Sequence, residues 1–315
     1  MTGGKVQKII VITGPTATGK SALGVRLAKV INGEIISADS MQVYTYMDIG
    51  TAKPTIDEMC GIPHHLIDFV PPQEDYSVAR YVKDASKCIE EVIQRSKQPI
   101  LVGGSGLYID SLLAGRTFSD RGDDKLRKKL ENEFDKIGGE AMLIKLCDVD
   151  AECAARLHAN DKKRIVRALE VFMTTGKTIS QHDLETKTFP SRYNALKIAL
   201  TFSNRDELYA RIDCRVDEML SKGLEDEVRS LLQMGVSQNN TSMQAIGYKE
   251  LSAAVLGQSD MRSAVDDVKM ESRRYAKRQL TWLRRDKDVN WIEWESFPDF
   301  DRGVGEIMRL THETK

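Results

Sequence analysis

Cysteine is scarce in this 315-residue sequence, and its spacing does not suit a metal or disulfide framework. The five cysteines are an odd number, and no two of them form a C-x-x-C pair. This argues against a disulfide scaffold and a thiolate zinc site, and predicts ordinary thiols in a reducing compartment. No apolar segment approaches the roughly 20 residues that cross a bilayer, so no membrane partner is expected. Because the first residues also lack the apolar stretch of a signal peptide, we predict a cytoplasmic protein.

An excess of positive charge is also missing. Lysine and arginine total 46 and aspartate and glutamate 47, which leaves a formal net charge of −1. A dedicated nucleic-acid binder is usually more basic, so any RNA-binding surface must come from local clustering. The hydrophobic content of 41% is ordinary for a globular protein, and the length suggests one large domain or two moderate ones.

Short apolar runs alternate with stretches of helical period. Strands are predicted at 8–13, 34–38, 99–103, 195–202 and 289–293, and helices at 20–31, 78–97, 205–234 and 263–285. Strands that alternate with helices indicate a parallel sheet with helices on its faces, an α/β fold.

Strand signals almost disappear between residues 119 and 190. This segment is charged, and helices are predicted at 123–136, 141–147, 151–158 and 162–174. We therefore predict an all-helical domain at 119–190, inserted into an α/β core formed by 1–118 and 191–315.

A phosphate-binding loop follows the first predicted strand and opens the first helix. The pattern G-x-x-x-x-G-K-[ST] is matched by Gly14, Pro15, Thr16, Ala17, Thr18, Gly19, Lys20 and Ser21. Its glycines let backbone N–H groups turn toward an anion, and the helix N-terminus adds positive potential. Lys20 places a charge on the distal phosphate, and the Ser21 hydroxyl can bind Mg²⁺. The motif predicts a bound diphosphate or triphosphate, although it does not say that phosphate is transferred.

Two other loops follow predicted strands, at the edge where ligands bind in open α/β sheets. Asp39 begins the first, and its carboxylate can accept a proton or a hydrogen bond from an attacking amine, or can simply be a turn or cap residue. The second is rich in glycine, and its Ser105 can donate or accept a hydrogen bond.

Together these segments resemble the bacterial tRNA dimethylallyltransferase family, also called tRNA isopentenyltransferases. Small departures occur at Thr18, where the family often has serine, and at Ser105, where threonine is common, but both keep a hydroxyl. No carboxy-terminal zinc finger follows, unlike in eukaryotic relatives. The matching stretches run in family order over nearly the whole chain: 14–21, 39–44, 47–54, 64–68, 103–108, 160–170, 244–250 and 275–284.

The resemblance implies a P-loop NTPase-like fold and a specific reaction. Dimethylallyl diphosphate gives its five-carbon group to N6 of the adenosine on the 3′ side of the anticodon, in tRNAs that read codons beginning with U, and diphosphate leaves. The implied partners are dimethylallyl diphosphate and the tRNA anticodon stem-loop, the implied cofactor is Mg²⁺ at Ser21, and no obligate protein partner is predicted.

The resemblance also implies roles for individual residues. The implied catalytic residues are Asp39, as the base, and Lys20, Ser21, Ser105 and Arg211. Arg215 shares a helix face with Arg211, and both arginines can instead pair with Asp217 or Glu207. The residues expected to contact tRNA are Asp39, Ser40, Met41, Gln42, Ser105, Arg127, Lys163, Arg164, Ile165, Val166 and Arg167. A dense basic run at 273–287 has no assigned ligand.

Three rival functions share some of these features. A P-loop kinase would use the same loop and Mg²⁺, but it does not explain the helical insertion. A nucleotide-gated RNA-binding module would need no carboxylate at Asp39. A transferase acting on free AMP is expected to lack the insertion at 119–190.

Overall fold

The computed structural model describes residues 7–115, 124–188 and 191–313, and the chain forms two compact units. The core unit comprises residues 1–113 and 192–315, and the helical unit comprises residues 114–191. The predicted insertion, 119–190, has the same position in the chain order. Its predicted boundaries at 118, 119 and 190 lie outside the described residues.

A six-stranded sheet forms the centre of the core unit, and every pairing in it is parallel. The strand order is β3-β2-β4-β1-β5-β6. This confirms the predicted parallel α/β sheet. The strands are β1 (Gln7–Thr13), β2 (Gly33–Ser37), β3 (His64–His65), β4 (Gln98–Val102), β5 (Tyr193–Phe202) and β6 (Val289–Trp294).

Helices occupy most of the remaining chain. In the core unit they are α1 (Lys20–Ile31), α2 (Ile56–Met59), α3 (Val78–Gln94), α4 (Gly106–Leu113) and, after the helical unit, α10 (Arg205–Ser221), α11 (Leu224–Gln233), α12 (Tyr248–Val255), α13 (Met261–Leu283) and α14 (Phe300–Glu313). The helical unit contains α5 (Asp124–Ile137), α6 (Gly139–Cys147), α7 (Ala151–Ala154), α8 (Lys162–Thr175) and α9 (Ile179–Thr188). No described helix is long and apolar enough to cross a membrane.

The central stretches of β1, β2 and β4 are apolar, as expected for strands of a parallel sheet that is buried on both faces. Ile10 and Ile12 of β1 are buried and pack with Leu23 and Leu27 of α1. The same cluster includes Trp294 at the end of β6, whose indole N–H donates to the carbonyl of Thr18 at 3.0 Å. The core thus supports the phosphate-binding loop directly from beneath.

The helical unit has its own apolar core. Leu130 of α5, Met142 of α6 and Leu169 of α8 are at most 1% exposed and pack in one cluster. Ile165 and Val166 belong to the same cluster and are 0% and 2% exposed. Both side chains are enclosed by apolar neighbours, so a tRNA contact at these two positions, which stays a prediction, would have to be made by the backbone.

Some predicted helices differ from the observed ones. The segment predicted as one helix at 205–234 is two helices, α10 and α11, because Gly223 has a φ of +97° that ends the first and begins the second. The helix predicted at 151–158 is one turn, α7. Helices α9, α12 and α14 were not predicted.

Candidate active site

A cavity of about 1290 Å³ opens at the carboxyl ends of β1, β2 and β4. The loops that follow these strands supply part of its wall, and α1, α10, α13 and the segments 48–55 and 244–247 supply much of the rest. Of the predicted site residues, the cavity is lined by Thr16, Ala17, Gly19, Lys20, Ser21, Asp39, Ser40, Met41, Gln42 and Arg211. The sheet topology brings these residues together, although they are up to 195 positions apart (211 − 16).

The phosphate-binding loop adopts a backbone that requires its two fixed glycines. Gly14 has a φ of +140°, and a Cβ there would lie 2.4 Å from the carbonyl oxygen of Leu200. Gly19 has a φ of +85° immediately before α1. The Thr18 hydroxyl is buried and donates to the Pro15 carbonyl at 2.8 Å, which closes the loop. The loop is therefore pre-shaped before any ligand arrives.

Gln279 on α13 connects the phosphate-binding loop with the glycine-rich loop. Its Oε1 accepts from the Thr16 N–H at 3.1 Å, and its Nε2 donates to the Gly104 carbonyl at 3.0 Å. A Cβ on Gly104 would lie 2.2 Å from that nitrogen. Sequence reasoning did not find Gln279, although it belongs to the matching stretch 275–284.

Lys20 lies at the bottom of the phosphate-binding loop and donates to the Pro15 carbonyl at 2.7 Å. Its pKa is lowered to about 7, first by burial and then by the nearby Arg215 guanidinium, while Asp39 opposes both effects. Burial also lowers the pKa of Arg215, and Asp39 again opposes this effect. Two cations are thus held close together in a desolvated place, an arrangement that a bound anion would relieve.

Ser21 is exposed at the start of α1 and lines the cavity. Its hydroxyl is a suitable oxygen ligand for Mg²⁺, which usually combines one or two protein ligands with substrate phosphates and water. Among the described residues, no cluster of three or more His, Cys, Asp or Glu could hold a metal ion. The donor set therefore fits a metal shared with a bound diphosphate, held on the protein side by Ser21.

Asp39 is half-buried where β2 ends. Its Oδ1 accepts from the backbone N–H of Met41 at 2.9 Å and of Gln42 at 3.4 Å, as expected of a turn aspartate. Its Oδ2 makes no hydrogen bond within the described part of the chain. Because one oxygen holds the turn, the other can accept a proton in the cavity, and the two roles left open by the sequence are compatible.

The remaining polar residues of these loops are linked to one another. The Ser105 Oγ accepts from the Ser40 N–H at 3.0 Å, so Ser105 supports the Asp39 loop from behind. The Gln42 amide donates to the carbonyls of Thr51 and Ala52, each at 3.2 Å. The predicted tRNA contacts Ser40, Met41 and Gln42 thus lie on a loop with a fixed shape.

Arg211 and Arg215 share the face of α10 that lines the cavity. Arg211 donates to the Ala17 carbonyl at 3.4 Å and lies over the Phe202 ring, 5.3 Å from its centroid. In the described structure neither arginine forms an ion pair with Asp217 or Glu207, and Asp217 pairs instead with Lys269 at 2.6 Å. Both arginines therefore remain available to a ligand of the phosphate-binding loop.

A half-buried carboxylate holds the segment 48–50, which forms another part of the wall. Glu227 on α11 accepts from the backbone N–H groups of Asp48 and Ile49, each at 2.8 Å, and of Gly50 at 3.1 Å. It also accepts from the Tyr248 hydroxyl at 2.5 Å. Sequence reasoning missed Glu227, since no motif signals a carboxylate that is bound by three backbone amides 177 to 179 residues away.

The basic residues predicted to bind tRNA lie in the helical unit. Lys163 and Arg164 are exposed on the first turn of α8, whereas Arg127 and Arg167 both contact the buried Glu170. Side chains of these four residues are accessible, in contrast to those of Ile165 and Val166.

Three arginines of the basic run at 273–287 contact other side chains of the described structure. Arg273 pairs with Asp213 at 2.5 Å, and Arg274 pairs with Glu271 at 2.6 Å. Arg278 lines the cavity and stacks over the Tyr275 ring. Of the basic residues in this run, Arg278 is the one that lines the cavity.

Curated relatives match this chain over nearly its whole length. The tRNA dimethylallyltransferase of Acetivibrio thermocellus is 47% identical over 293 residues, which cover 93% of each chain. That of Pelotomaculum thermopropionicum is 46% identical over 311 residues, covering 98% of this chain and 97% of the relative.

Two solved structures are also similar. The full-length tRNA isopentenylpyrophosphate transferase of Bacillus halodurans is 42% identical, with a TM-score of 0.73 and coverage of 98% of this chain and 96% of its own. A eukaryotic dimethylallyltransferase acting on tRNA is 30% identical, with a TM-score of 0.80 and coverage of 96% of this chain and 77% of its own. The family profile described as IPP transferase matches residues 42–286. The chain therefore belongs to the IPP transferase family, and its curated relatives are tRNA dimethylallyltransferases.

Proposed function

We propose that this protein transfers the dimethylallyl group of dimethylallyl diphosphate to N6 of the adenosine on the 3′ side of the anticodon, in tRNAs that read codons beginning with U. The observation that carries the proposal is the cavity in which a phosphate-binding loop, two half-buried cations and one carboxylate meet. Lys20 and Arg215 suit a leaving diphosphate, and Asp39 suits an attacking amine. The family membership and the tRNA activity of its relatives support the same reaction.

The bond changes follow from this arrangement. The N6 lone pair forms a C–N bond to the first carbon of the allyl group while the C–O bond to the diphosphate breaks. The electron pair of that bond leaves on the diphosphate, where the loop amides, Lys20, Arg211 and Arg215 stabilise the added charge. The Asp39 carboxylate accepts the N6 proton, which removes the charge from the alkylated nitrogen.

Mg²⁺ would be held by Ser21 and by the diphosphate itself. Bound there, it would neutralise charge on the leaving group. Ser105 acts by fixing the Asp39 loop through Ser40, so it is a positioning residue in this scheme.

The helical unit is proposed to hold the anticodon stem-loop. A base in a stacked loop cannot enter a cavity, so the adenosine must be flipped out, which costs a few kcal/mol of stacking. Contacts elsewhere on the RNA have to offset this cost. Lys163, Arg164, Arg127 and Arg167 supply accessible positive charge on α5 and α8 for that purpose. We expect the reaction to take place in the cytoplasm and to need no obligate protein partner.

The identity of the donor separates this proposal from a P-loop kinase. Purified protein is incubated with unmodified tRNA, Mg²⁺ and either labelled dimethylallyl diphosphate or γ-labelled ATP. Label should enter tRNA from dimethylallyl diphosphate alone. Transfer of phosphate from ATP to any acceptor, without alkylated adenosine, would contradict the proposal.

The role of Asp39 is tested by Asp39→Asn, which keeps the shape of the side chain and removes its basicity. Turnover should fall by roughly two to four orders of magnitude, the usual contribution of a general base. Binding of donor and tRNA should largely survive, since the lost interaction belongs to the transition state. Asp57→Asn removes an exposed carboxylate from the same unit and should change little. Loss of Mg²⁺-dependent diphosphate binding in Asp39→Asn would instead make Asp39 a residue of the metal or phosphate shell.

The role of the helical unit is tested by Arg164→Glu. The Arg164 side chain is 72% exposed, so the change should weaken tRNA binding, spare donor binding and flatten the salt dependence by about one unit per lost phosphate contact. Lys83→Glu makes the same charge change at an exposed residue of α3 in the core unit and should leave tRNA binding unchanged. If Arg164→Glu binds tRNA as tightly as the wild type at physiological salt, the helical unit does not hold the RNA.

A further inference from the structure

A buried carboxylate joins two arginines of the helical unit. Glu170 on α8 is 1% exposed, yet both of its oxygens accept hydrogen bonds from guanidinium groups. Arg127 on α5 donates through Nε to Oε2 at 3.2 Å and through Nη2 to Oε1 at 3.1 Å. Arg167 donates through Nη1 to Oε2 at 3.0 Å. The two arginine side chains are 42% and 43% exposed, so each extends from a buried anchor to the surface.

Holding α5 against α8 does not by itself explain this carboxylate. The two helices already pack through Leu130, Ile165 and Leu169, which are at most 1% exposed. Burying a charge is expensive, and well-packed apolar residues often stabilise such a place equally well or better. A buried carboxylate that orients two partly exposed guanidiniums has a different use, since it fixes the direction in which they point.

The charge around Glu170 favours an anionic ligand. The Glu170 carboxylate faces the guanidiniums of Arg127 and Arg167. The exposed Lys163 and Arg164 precede Arg167 on α8. Residues three and four positions apart share a helix face, so Lys163 and Arg164 lie on the side of α8 that carries Arg167. Several cations along one surface match a polymer with repeated negative groups better than a single small anion.

Arginine benefits from orientation more than lysine does. Its planar group binds phosphate through two parallel N–H donors, which requires the plane to face the ligand correctly. An arginine already held by a carboxylate loses less conformational entropy when it binds. A buried anchor therefore raises the affinity of each arginine without touching the ligand.

We propose that Glu170 is a positioning residue that orients Arg127 and Arg167 toward phosphate groups of the tRNA backbone. The inference rests on the proposed function, in which the helical unit holds the RNA. According to this inference, Glu170 increases the affinity for tRNA, although its own negative charge repels the RNA backbone.

The test is Glu170→Gln, because orientation and simple attraction predict opposite signs. Removing a negative charge near a polyanion should tighten tRNA binding if attraction alone matters. Positioning predicts a KM for tRNA raised by about tenfold, since two arginines lose their anchor, with kcat and the KM for donor unchanged. Glu140→Gln removes an exposed carboxylate from the same unit and should leave the KM for tRNA unchanged or slightly lower.

Circular dichroism and thermal unfolding establish that each variant is folded at the assay temperature. If Glu170→Gln is unfolded there, Glu170→Asp takes its place, since the shorter side chain keeps the charge but moves both anchors. A raised KM for tRNA in the folded variant supports the inference, and an unchanged or lowered KM overturns it.

Arg164→Glu distinguishes the two failures. If it weakens tRNA binding while Glu170→Gln does not, the helical unit holds RNA and the positioning role is wrong. If neither change affects tRNA binding, the proposed role of the helical unit fails, and the inference about Glu170 fails with it.

Discussion

Diphosphate binding should be accompanied by proton uptake at Lys20. The pKa of Lys20 is about 7 because the amine is buried and lies near Arg215. A bound diphosphate brings negative charge to the loop and raises this pKa again, so the ligand binds the protonated form better. The affinity for diphosphate should therefore be highest below pH 7 and should fall as the pH rises above 7. The fall should end at the pKa that Lys20 has in the bound state.

The magnitude follows from mass action on a single group. With a pKa of about 7, the protein should take up about half a proton per ligand at pH 7 and about 0.9 at pH 8, and binding at pH 9 should be roughly 50-fold weaker than at pH 7. The ligand contributes little to this trend, since a terminal phosphate loses its second proton near pH 6.

Isothermal titration calorimetry measures the uptake directly. A non-reactive analogue of dimethylallyl diphosphate is titrated in buffers of different ionisation enthalpy, and the slope of the observed heat gives the number of protons. Lys20→Met should lose most of the affinity and the uptake together. Lys29→Met removes another lysine of the same cavity and should keep the uptake. No uptake at pH 8 in the wild type, or an equal uptake in Lys20→Met, would refute the reasoning.

Two further predictions concern packing. Gly103→Ala places a Cβ 2.2 Å from the backbone of Ala38, so it should lower turnover and destabilise the protein by about 1–3 kcal/mol. As a control, Gly305→Ala adds a Cβ that meets no atom within 4 Å, so its effect on stability should be neutral or stabilising. Equal turnover and melting temperature in these two variants would contradict this reading of the glycine-rich loop. Ile165→Ala removes a fully buried side chain and should destabilise the helical unit by about 2–5 kcal/mol in chemical denaturation, whereas the exposed Lys163→Ala should change its stability by less than about 0.5 kcal/mol. If Ile165→Ala left the stability of the helical unit unchanged, the assignment of Ile165 to the buried core would be wrong.

The sheet was predictable because its signals are local. Buried parallel strands are short apolar runs, and those around Ile12, Ile36 and Leu101 stand out from charged neighbours. The phosphate-binding loop was equally local, since its glycines and Lys20 occupy eight consecutive positions. Once three strands are parallel, the loops after them must meet at one edge, which is how Asp39 could be placed beside the loop.

The contacts that complete the site could not be predicted in this way. Gln279 bonds the Thr16 amide across 263 residues, and Glu227 bonds three amides at 48–50. Such pairings depend on the tertiary arrangement of α11 and α13, and no spacing in the sequence reports them. Arg215 is a similar case, since only burial beside Lys20 distinguishes it from Arg211.

For the helical unit, the sequence suggested too many contacting side chains rather than too few. A basic stretch around Lys163 and Arg167 correctly indicated accessible cations on α8, but the apolar residues between them were taken for contacts as well. Helical periodicity turns positions 165 and 166 inward while 163, 164 and 167 remain accessible. A contiguous motif therefore does not mean a contiguous surface.

The central claim is the transfer of a dimethylallyl group to one adenosine of tRNA. The direct measurement is incubation of the protein with labelled dimethylallyl diphosphate, Mg²⁺ and unmodified tRNA, followed by nuclease digestion and identification of the labelled nucleoside by mass spectrometry. We expect a single product, adenosine carrying the five-carbon group at N6, from the position 3′ to the anticodon, with Asp39→Asn forming it far more slowly. No labelled nucleoside in the tRNA digest, or label in free AMP added to the same mixture but not in tRNA, would contradict the account.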